Sequence, residues 1–304
     1  MKPSYILGLD IGGTNIRLGL VDRQLTAHRV EIASSRDLFD KPETLKALAE
    51  VIIDYLARAL PGGKPELVCA GLPAVMDSTR RRALSATNFP GLTNRDLAED
   101  LEAYLQLPVQ LEHDAYYLLA NDIRANGLVN EGTMLGFYFG TGMGNAMYIG
   151  GKPYIGRNGA ACEIGHMPVP LSQRLCTCGN KGCIEMYCCG KAFERLAGEM
   201  FPREELAMLF VHHSDHPCLM EFVDYMAAVI ATEVNIMDPD GVFIGGGLVQ
   251  MEGFPKEMLL NSVLRNTRQP YPATDLPCFF SSPHPENGII GAAIEGWRIL
   301  DGNR

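Results

Sequence analysis

The sequence predicts an α/β protein of about two domains, and three observations support this. The chain has 304 residues, more than a single domain usually needs. Short β-rich runs alternate with longer segments whose apolar residues recur at helical spacing. A Gly-rich hairpin pattern occurs twice, 128 residues apart, which indicates that one domain has been duplicated.

The elements follow one another from the amino terminus. YILGLDIGGTNIRLGLVD, from Tyr5, has two β-rich runs around a Gly-Gly turn, which predicts a hairpin. KPETLKALAEVIIDYLARALPGG, residues 41–63, predicts a helix that ends at Pro-Gly-Gly. Short strands are predicted in ELVCAGLP and PVQLEHD, with a helix between them in RDLAEDLEAYLQ. Later, LMEFVDYMAAVIATEVNIMDPDGVFIGGG predicts a long helix, a turn and a strand.

The duplication is visible in two aligned segments. LGLDIGGTNIRLGLV, from Leu7, matches LGFYFGTGMGNAMYI, from Leu135, in a Leu-Gly start and in a glycine cluster between two strands. A chance similarity between two Gly-rich hairpins is the alternative. If the match is real, each half of the chain carries one Gly-rich turn.

The charge excludes some classes of partner. Lys and Arg number 26 against 36 Asp and Glu, a net charge of −10, so no basic field attracts nucleic acid or an anionic membrane. The uncharged apolar runs are too short to span a membrane, and Asp10 interrupts the N-terminal run. The sequence predicts a soluble, cytoplasmic protein with a small-molecule partner.

The glycine clusters are candidates for binding a nucleotide. Without a Cβ, a glycine lets consecutive backbone N–H groups turn towards a phosphate. No GxxxxGK[ST] loop is present, and each cluster alone is more often a tight turn. Asp10, just before the first turn, could hold the magnesium of Mg-ATP through water, and the third cluster suits adenine or ribose. The candidate residues are Gly12, Gly13, Thr14, Gly140, Thr141, Gly142, Gly144, Gly245, Gly246 and Gly247.

A cysteine-rich stretch, EIGHMPVPLSQRLCTCGNKGCIE, spans residues 163–185. His166, Cys176, Cys178 and Cys183 have the spacing H-x9-C-x-C-x4-C, and three thiolates with one imidazole form a closed tetrahedral set for structural zinc. Free cysteines in a core are the alternative. We interpret Cys162, Cys188 and Cys189, which lack such spacing, as small buried apolar residues.

Six segments in order along nearly the whole chain resemble the ROK family of sugar kinases and sugar-responsive repressors. They are GLDIGGTNIRLGLVD, EHDA, GTGMG, NGAACEIGH, CTCGNKGCIE and VFIGGGL. The resemblance implies an actin-like, ribonuclease-H-like fold of two α/β lobes, and a homodimer. We expect residues 1–115 with the C-terminal helix, 286–304, to form the smaller lobe, and residues 116–285 the larger.

The resemblance also implies roles for single residues. Asp114 matches the family's catalytic aspartate, which binds the sugar and accepts its proton, although an aspartate here could equally cap the next helix. Asn88 matches a sugar-binding asparagine, or is a turn residue. His166 would bind zinc through one ring nitrogen and a sugar hydroxyl through the other, with Glu163 and Glu185 as hydroxyl acceptors beside it.

Some positions depart from the family pattern. His113 stands where an asparagine is usual, and Asn145 and Ala146 replace glycines after GTGMG. A side-chain amide that would bind sugar hydroxyls is therefore missing or replaced, which makes glucose a doubtful substrate. His113 could donate a hydrogen bond to the sugar, or it could be a packed histidine that contacts no ligand.

The expected activity is ATP-dependent phosphorylation of the 6-hydroxyl of a hexose. Segments such as GLPA, LFVH and NIMDPDGVFIGGG resemble the family's D-allose kinases, so D-allose is the expected substrate. Glucose, fructose, mannose or an N-acetylhexosamine are alternatives, as is a sugar-sensing protein without catalysis. Repressors of the family carry a helix-turn-helix domain ahead of the first Gly-rich strand, which here begins at about Tyr5, so we do not expect a repressor.

Overall fold

A computed structural model describes residues 4–35, 38, 43–86, 89–129 and 132–302. The chain divides into two compact units. The first consists of the described residues of Met1–Leu128, Ile155–Ala161 and His284–Arg304, and the second of those of Val129–Tyr154 and Cys162–Pro283.

The described helices and strands alternate along the chain. Up to residue 125 they are β1 (Ile6–Ile11), β2 (Asn15–Val21), β3 (Ala27–Ser34), α1 (Thr44–Ala59), β4 (Leu67–Leu72), β5 (Val75–Met76), β6 (Ala83–Ser85), α2 (Leu97–Leu105), β7 (Val109–His113) and α3 (Asp114–Ala125). After it they are β8 (Thr133–Phe139), β9 (Met143–Ile149), β10 (Lys152–Pro153), α4 (Glu185–Cys188), α5 (Gly190–Met200), α6 (Leu209–His213), α7 (Pro217–Met237), β11 (Gly241–Gly245), α8 (Lys256–Asn266), β12 (Cys278–Phe280) and α9 (Asn287–Leu300).

A five-stranded sheet in the order β3-β2-β1-β4-β7 forms the centre of the first unit. β1 and β2 are the predicted antiparallel hairpin, and β4 and β7 add to β1 in parallel. Both faces of the sheet are covered, which explains the continuous apolar runs of β1 and β4. Because side chains alternate along a strand, Leu7 and Leu9 pack in the cluster that includes α1 and α2, whereas Ile6 packs in the cluster with α9.

The helix α9 approaches the first sheet very closely. A Cβ on Gly8 of β1 would lie 2.6 Å from the carbonyl oxygen of Ile289, and one on Gly291 would lie 1.7 Å from that of Tyr117. No side chain fits in these gaps, so the two glycines let α9 lie directly against β1 and α3. The carboxylate of Asp10 lies on the same face of β1 and therefore meets the start of α9.

The division between the units differs from the predicted boundary between residues 115 and 116. The whole of α3, including its part after residue 115, belongs to the first unit. Its Tyr117 packs in one buried cluster with Cys69 of β4 and Ile289 of α9, so the helix cannot be separated from that sheet. Residues 155–161 also belong to the first unit, although the sequence predicted them in the second domain.

The second unit repeats the topology of the first. Its sheet has the order β10-β9-β8-β11-β12, in which β8 and β9 form an antiparallel hairpin and β11 and β12 add in parallel. Both sheets therefore combine a hairpin, a third antiparallel strand beside it, and two parallel strands on its other side. This confirms the internal repeat that the two Gly-rich hairpins predicted, and a chance match does not explain it.

The long helix α7 crosses the core of the second unit. Most of its apolar residues are buried, although Met220 and Ile236 are exposed, and Glu221, Asp224 and Glu233 interrupt the apolar sequence. Among the described residues, no helix combines the length and the apolar composition that crossing a membrane requires.

Candidate active site

The first Gly-rich turn joins β1 to β2. The N–H of Gly12 donates to the carbonyl of Asn15 at 2.8 Å and closes the turn. The buried Ser35 braces it from outside, because its hydroxyl donates to the carbonyl of Gly12 at 2.6 Å and its N–H to that of Thr14 at 3.0 Å. Gly13 and Thr14 form the tip, and Thr14 is exposed. The turn is thus fixed in shape while its tip remains accessible.

Asp10 is held near a second carboxylate. One of its oxygens, Oδ2, accepts a hydrogen bond from Nη1 of Arg17 at 2.9 Å. Burial, and then the negative charge of Asp114, raise the pKa of Asp10 from 3.8 to about 6, although Arg17 opposes this. Two carboxylates that repel each other in a partly buried site form a suitable site for a divalent cation, which would relieve the repulsion. Magnesium therefore fits beside the first turn.

The raised pKa of Asp10 predicts a stability cost. Ionised Asp10 is less favourable in the folded than in the unfolded state, so its contribution to the free energy of unfolding is full below about pH 4 and is lost as the pH rises through about 6. We expect Asp10→Asn to be about 2 kcal/mol more stable than wild type at pH 8, with the difference shrinking towards pH 4. Urea unfolding at several pH values measures this difference.

Asp22 provides a control of opposite sign. Its carboxylate accepts from His28, and this bond together with the N–H of Thr26 lowers the pKa of Asp22. Asp22→Asn should therefore lose stability at pH 8 and regain it in acid. A pH-independent difference between wild type and Asp10→Asn would contradict the proposed repulsion.

The start of α9 also faces Asp10. A Cβ on Gly288 would lie 2.7 Å from the carboxyl carbon of Asp10, so only glycine allows this approach. The N-terminal end of a helix carries partial positive charge, which favours an anion there. Nothing in the local sequence around Gly288 signals this contact, because the two residues are separated by almost the whole chain.

Asp114 stands at the junction of β7 and α3. Its Oδ1 accepts from the N–H of Ala115 at 2.9 Å and lies 3.1 Å from Nδ1 of His113. The N-cap is His113 rather than Asp114, because the helix begins at Asp114 and the His113 side chain also meets the N–H of Ala115, at 3.2 Å. The alternative that Asp114 merely caps the helix is weakened accordingly. Its carboxylate is 23% exposed and can reach a ligand.

The second Gly-rich turn, between β8 and β9, is fixed by α5. The N–H groups of Gly190 and Lys191 donate to the carbonyls of Gly140 and Thr141 at 2.7 and 3.1 Å. A Cβ on Gly190 would lie 2.6 Å from the Gly140 carbonyl, so glycine is needed there. These two hydrogen bonds fix one side of the turn to the start of α5. No atom would meet a Cβ on Gly140 within 4 Å, so this turn also has open space beside it.

The third cluster packs on the end of β8. Gly246 has a φ of +94°, and a Cβ there would lie 2.4 to 2.5 Å from the backbone of Phe139. Gly245 similarly faces Ser281, whereas a Cβ on Gly247 would meet nothing within 4 Å. Close packing of the chain on itself therefore accounts for two of these glycines, and Gly247 is the position open to a ligand.

The predicted metal ligands come together in the second unit. One ligand atom from each of His166, Cys176, Cys178 and Cys183 lies within 4.8 Å of all the others. Sγ of Cys178 is 3.6 Å from Sγ of Cys183, and Sγ of Cys176 is 3.7 Å from Nδ1 of His166. Thiolates bound tetrahedrally to zinc at about 2.3 Å lie about 3.8 Å apart, so the set could hold zinc.

The remaining cysteines of this region have no such arrangement. Cys188 and Cys189 are buried, and burial raises the pKa of both thiols, so they stay neutral. Cys162 is half-buried. The burial of Cys188 and Cys189 agrees with their interpretation as small buried apolar residues, whereas Cys162 is only partly buried against the same core.

The two ring nitrogens of His166 face different neighbours, the other metal ligands and Glu185 on one side and Glu163 on the other. Nδ1 faces Cys176, whereas Nε2 lies 3.5 Å from Oε2 of Glu163. On the Nδ1 side, Glu185 lies 3.9 Å from His166 and accepts from the thiol of Cys176 at 3.0 Å. A Cβ on Gly142 would be 3.8 Å from Glu185, so the second Gly-rich turn adjoins this set. The three side chains therefore lie together.

Sequence reasoning missed some residues of these sites, and one candidate cannot be placed. Arg17, the partner of Asp10, and Gly190, the support of the second turn, carried no local signal. Asn88, the candidate sugar ligand, lies outside the described residues.

A comparison with protein families identifies the chain. The model of the ROK family matches residues 6–295, almost the entire length. The chain belongs to the ROK family. The family resemblance of its motifs is thereby confirmed, and the two-lobed actin-like architecture is consistent with its structural neighbours.

Several members of the family are similar over nearly their whole length. An N-acetyl-D-glucosamine kinase of Photobacterium profundum is 30% identical, over 94% of this chain and 97% of its own. A ROK hexokinase from Thermus thermophilus has a TM-score of 0.78 at 26% identity, over 98% and 99% of the two chains. A Streptomyces griseus ROK glucokinase in complex with glucose and AMPPNP has a TM-score of 0.80 at 24% identity, over 95% and 98%.

Proposed function

We propose that this ROK protein is an ATP-dependent kinase that phosphorylates the 6-hydroxyl of a hexose or an N-acetylhexosamine. The observation that carries the proposal is the pair of carboxylates in the first unit, Asp10 beside a Gly-rich turn and Asp114 at the end of β7. Phosphoryl transfer requires a base near the acceptor and a cation that neutralises charge near the phosphates. Asp114 is the candidate base, and Asp10 is the candidate residue to hold the magnesium ion. The sugar kinases similar to this chain support the same activity.

Asp114 is the proposed base. Its partly exposed carboxylate accepts the proton of the 6-hydroxyl as the oxygen bonds to the γ-phosphorus, and the bond from that phosphorus to the β,γ-bridging oxygen breaks. ADP leaves with the electron pair of the broken bond. The N–H of Ala115 fixes Oδ1 of Asp114, so the carboxylate is oriented before the sugar binds.

The Gly-rich turns are the proposed sites for ATP. Gly13 and Thr14 in the first turn, and Thr141 and Gly142 in the second, would offer backbone N–H groups and hydroxyls to phosphate oxygens. Gly12, Gly140 and Gly144 would shape the two turns, because the N–H groups of Gly12 and Gly140 donate to carbonyls within them and Gly144 lies in β9. Asp10 would hold magnesium through water, and the ion would supply neutralisation of the phosphate charge. Gly247 offers the open backbone for the adenosine end.

Glu163 and Glu185 are the proposed acceptors for sugar hydroxyls, and Nε2–H of His166 is the proposed donor to one of them. Zinc on the four ligands would orient His166, since it fixes which ring nitrogen faces the metal and which faces Glu163. The metal's role is structural, because four protein ligands leave no open coordination position for activating water.

N-acetyl-D-glucosamine or glucose is a better-supported substrate than D-allose. The similar enzymes reported above are named for N-acetyl-D-glucosamine, for glucose or for hexoses in general, and none for D-allose. His113 does not by itself argue for D-allose. Its Nδ1 either accepts the N–H of Ala115 or, when protonated, donates to Asp114. Only Nε2 can therefore meet a ligand, where an asparagine would offer both a donor and an acceptor.

A coupled ADP-release assay over N-acetyl-D-glucosamine, glucose, mannose, fructose and D-allose tests the proposal. We expect kcat/KM for N-acetyl-D-glucosamine to exceed that for D-allose at least about tenfold, because a sugar of the wrong shape leaves buried polar groups unpaired. ATP without sugar is the control for hydrolysis. D-allose as the best substrate would overturn the substrate assignment alone, whereas no ADP release with any sugar would count against the kinase.

A further inference from the structure

Arg80 differs from the two arginines that follow it in the turn between β5 and β6. Arg81 and Arg82 pair at the surface with Glu102 and Asp96. Arg80 has a left-handed backbone, with φ of +58°, and is only 6% exposed. The turn therefore directs this one guanidinium into the interior of the first unit.

The buried guanidinium of Arg80 joins two separate segments. Its Nη1 donates to the carbonyl of Gly159 at 2.7 Å, and its Nε lies 3.0 Å from Oε1 of Glu112. Its central carbon also lies 5.7 Å from the ring centre of Tyr116. Gly159 belongs to residues 155–161, and Glu112 to β7, so Arg80 is the polar link from one to the other.

Both segments matter for the proposed reaction. The same Oε1 of Glu112 that pairs with Arg80 accepts the N–H of His113 at 2.8 Å. Arg80 therefore supports, through this ion pair, the end of the strand that presents Asp114. Residues 158–161 begin the NGAACEIGH motif, which continues directly to Glu163 and His166. Gly159 has a φ of +82°, and its Cβ position lies 2.4 Å from the backbone carbon of Asp77, so the segment is pressed against the turn that carries Arg80.

Stability is a weak reason for this ion pair. Taking both charges out of water is costly, and well-packed apolar residues often replace such a pair without loss. Burial raises the pKa of Glu112 even though Arg80 opposes the shift, so the attraction does not fully offset the desolvation. An apolar pair in place of Arg80 and Glu112 could not donate a hydrogen bond to the carbonyl of Gly159.

We propose that Arg80 is a positioning residue for phosphoryl transfer, which fixes residues 155–161 and the Asp114 end of β7 to one another. The inference rests on the proposed function, in which Asp114 is the base and the residues after Gly159 bind the sugar. A displacement of about 1 Å between reacting groups can lower a rate about 100-fold. Loss of Arg80 should therefore lower kcat more than it raises KM for ATP.

The decisive variant is the double substitution Arg80→Met/Glu112→Met. It leaves no unpaired charge in the core, so it should fold with a stability near that of wild type, unlike Arg80→Met alone. We expect its kcat, per folded molecule, to fall about 10- to 100-fold with KM for ATP within about twofold of wild type. Arg80→Lys, which keeps the charge but can reach only one partner, should be intermediate. Arg82→Met, in the same turn but at the surface, is the matched control.

Hydrogen exchange provides a readout that does not depend on catalysis. Amides of residues 155–161 should exchange faster in the double variant than in wild type or Arg82→Met. A folded double variant with wild-type kcat and unchanged exchange would show that Arg80 only stabilises the core, and would overturn the inference. A wild type that phosphorylates no sugar would instead overturn the proposed function, while faster exchange in the double variant would still support the link that Arg80 makes.

Discussion

Replacing Asp114 by asparagine is expected to reduce kcat about 10²- to 10⁴-fold, the usual range for loss of a general base. The amide has the shape of the carboxylate, and its oxygen can still accept the N–H of Ala115. The helix start should thus be preserved. What the amide cannot do is take the proton of the sugar hydroxyl.

The measurement is steady-state turnover together with calorimetric titration of sugar and ATP. Both ligands should bind Asp114→Asn within a few-fold of wild type, so that the loss lies in kcat. Asp54→Asn, an exposed position on α1 of the same unit, is the control for a change of charge. If Asp114→Asn retains turnover, Asp114 is not the base, and its role at the junction of β7 and α3 is structural.

Substituting Cys178 by serine is expected to remove the metal and weaken sugar binding at least about tenfold. Wild type should carry about one zinc per chain, as a closed four-ligand site requires. Cys178 is exposed and contacts Cys183, so serine fits sterically but binds zinc poorly. Without the metal, His166 loses the partner that sets its ring orientation relative to Glu163.

Metal analysis and separate titrations with sugar and nucleotide test this expectation. ATP should be affected less than sugar, because its proposed contacts lie on the Gly-rich turns. The control is Cys218→Ser, which replaces a half-buried thiol elsewhere in the second unit and should change neither zinc content nor sugar affinity. A metal-free wild type with full activity, or a zinc-depleted Cys178→Ser with normal sugar affinity, would exclude the role assigned to the cluster.

Features encoded within about 20 residues could be predicted from the sequence. The hairpin around Gly12 and Gly13 and the four-ligand set from His166 to Cys183 both lie in single segments, where spacing alone reports geometry. The helix predicted within residues 41–63 also forms, and α1 begins at Thr44 and ends at Ala59. In each case local chemistry determines the structure.

Contacts between distant segments could not be predicted. The approach of Gly288 to Asp10, and the hydrogen bond from Arg80 to Gly159, depend on how whole elements pack. A glycine at a helix start and an arginine in a polar turn are both ordinary in the sequence. The boundary after residue 115 failed for a related reason, since the burial of Tyr117 against α9 keeps all of α3 in the first unit.

The junction at Asp114 shows the limit of a single pattern. An aspartate before an apolar helical segment is a good cap signal, yet the structure gives that position to His113. Only a shift of one residue separates the two assignments, and such shifts at helix ends are common. The chemical meaning nevertheless changes, because Oδ1 of Asp114 accepts the N–H of Ala115 and the carboxylate keeps a second oxygen for a substrate.

The close packing of α9 on the first sheet has a consequence for the synthesis of the chain. The helix covers one face of the first sheet through Ile289, Ala293 and Trp297, but the ribosome makes it only after the entire second unit. During translation, part of that face of β1 and β4 therefore stays uncovered until α9 emerges, whereas the second unit is nearly contiguous and can fold earlier. The nascent chain is most exposed to aggregation or chaperone capture in this interval, which closes only when the last helix leaves the exit tunnel.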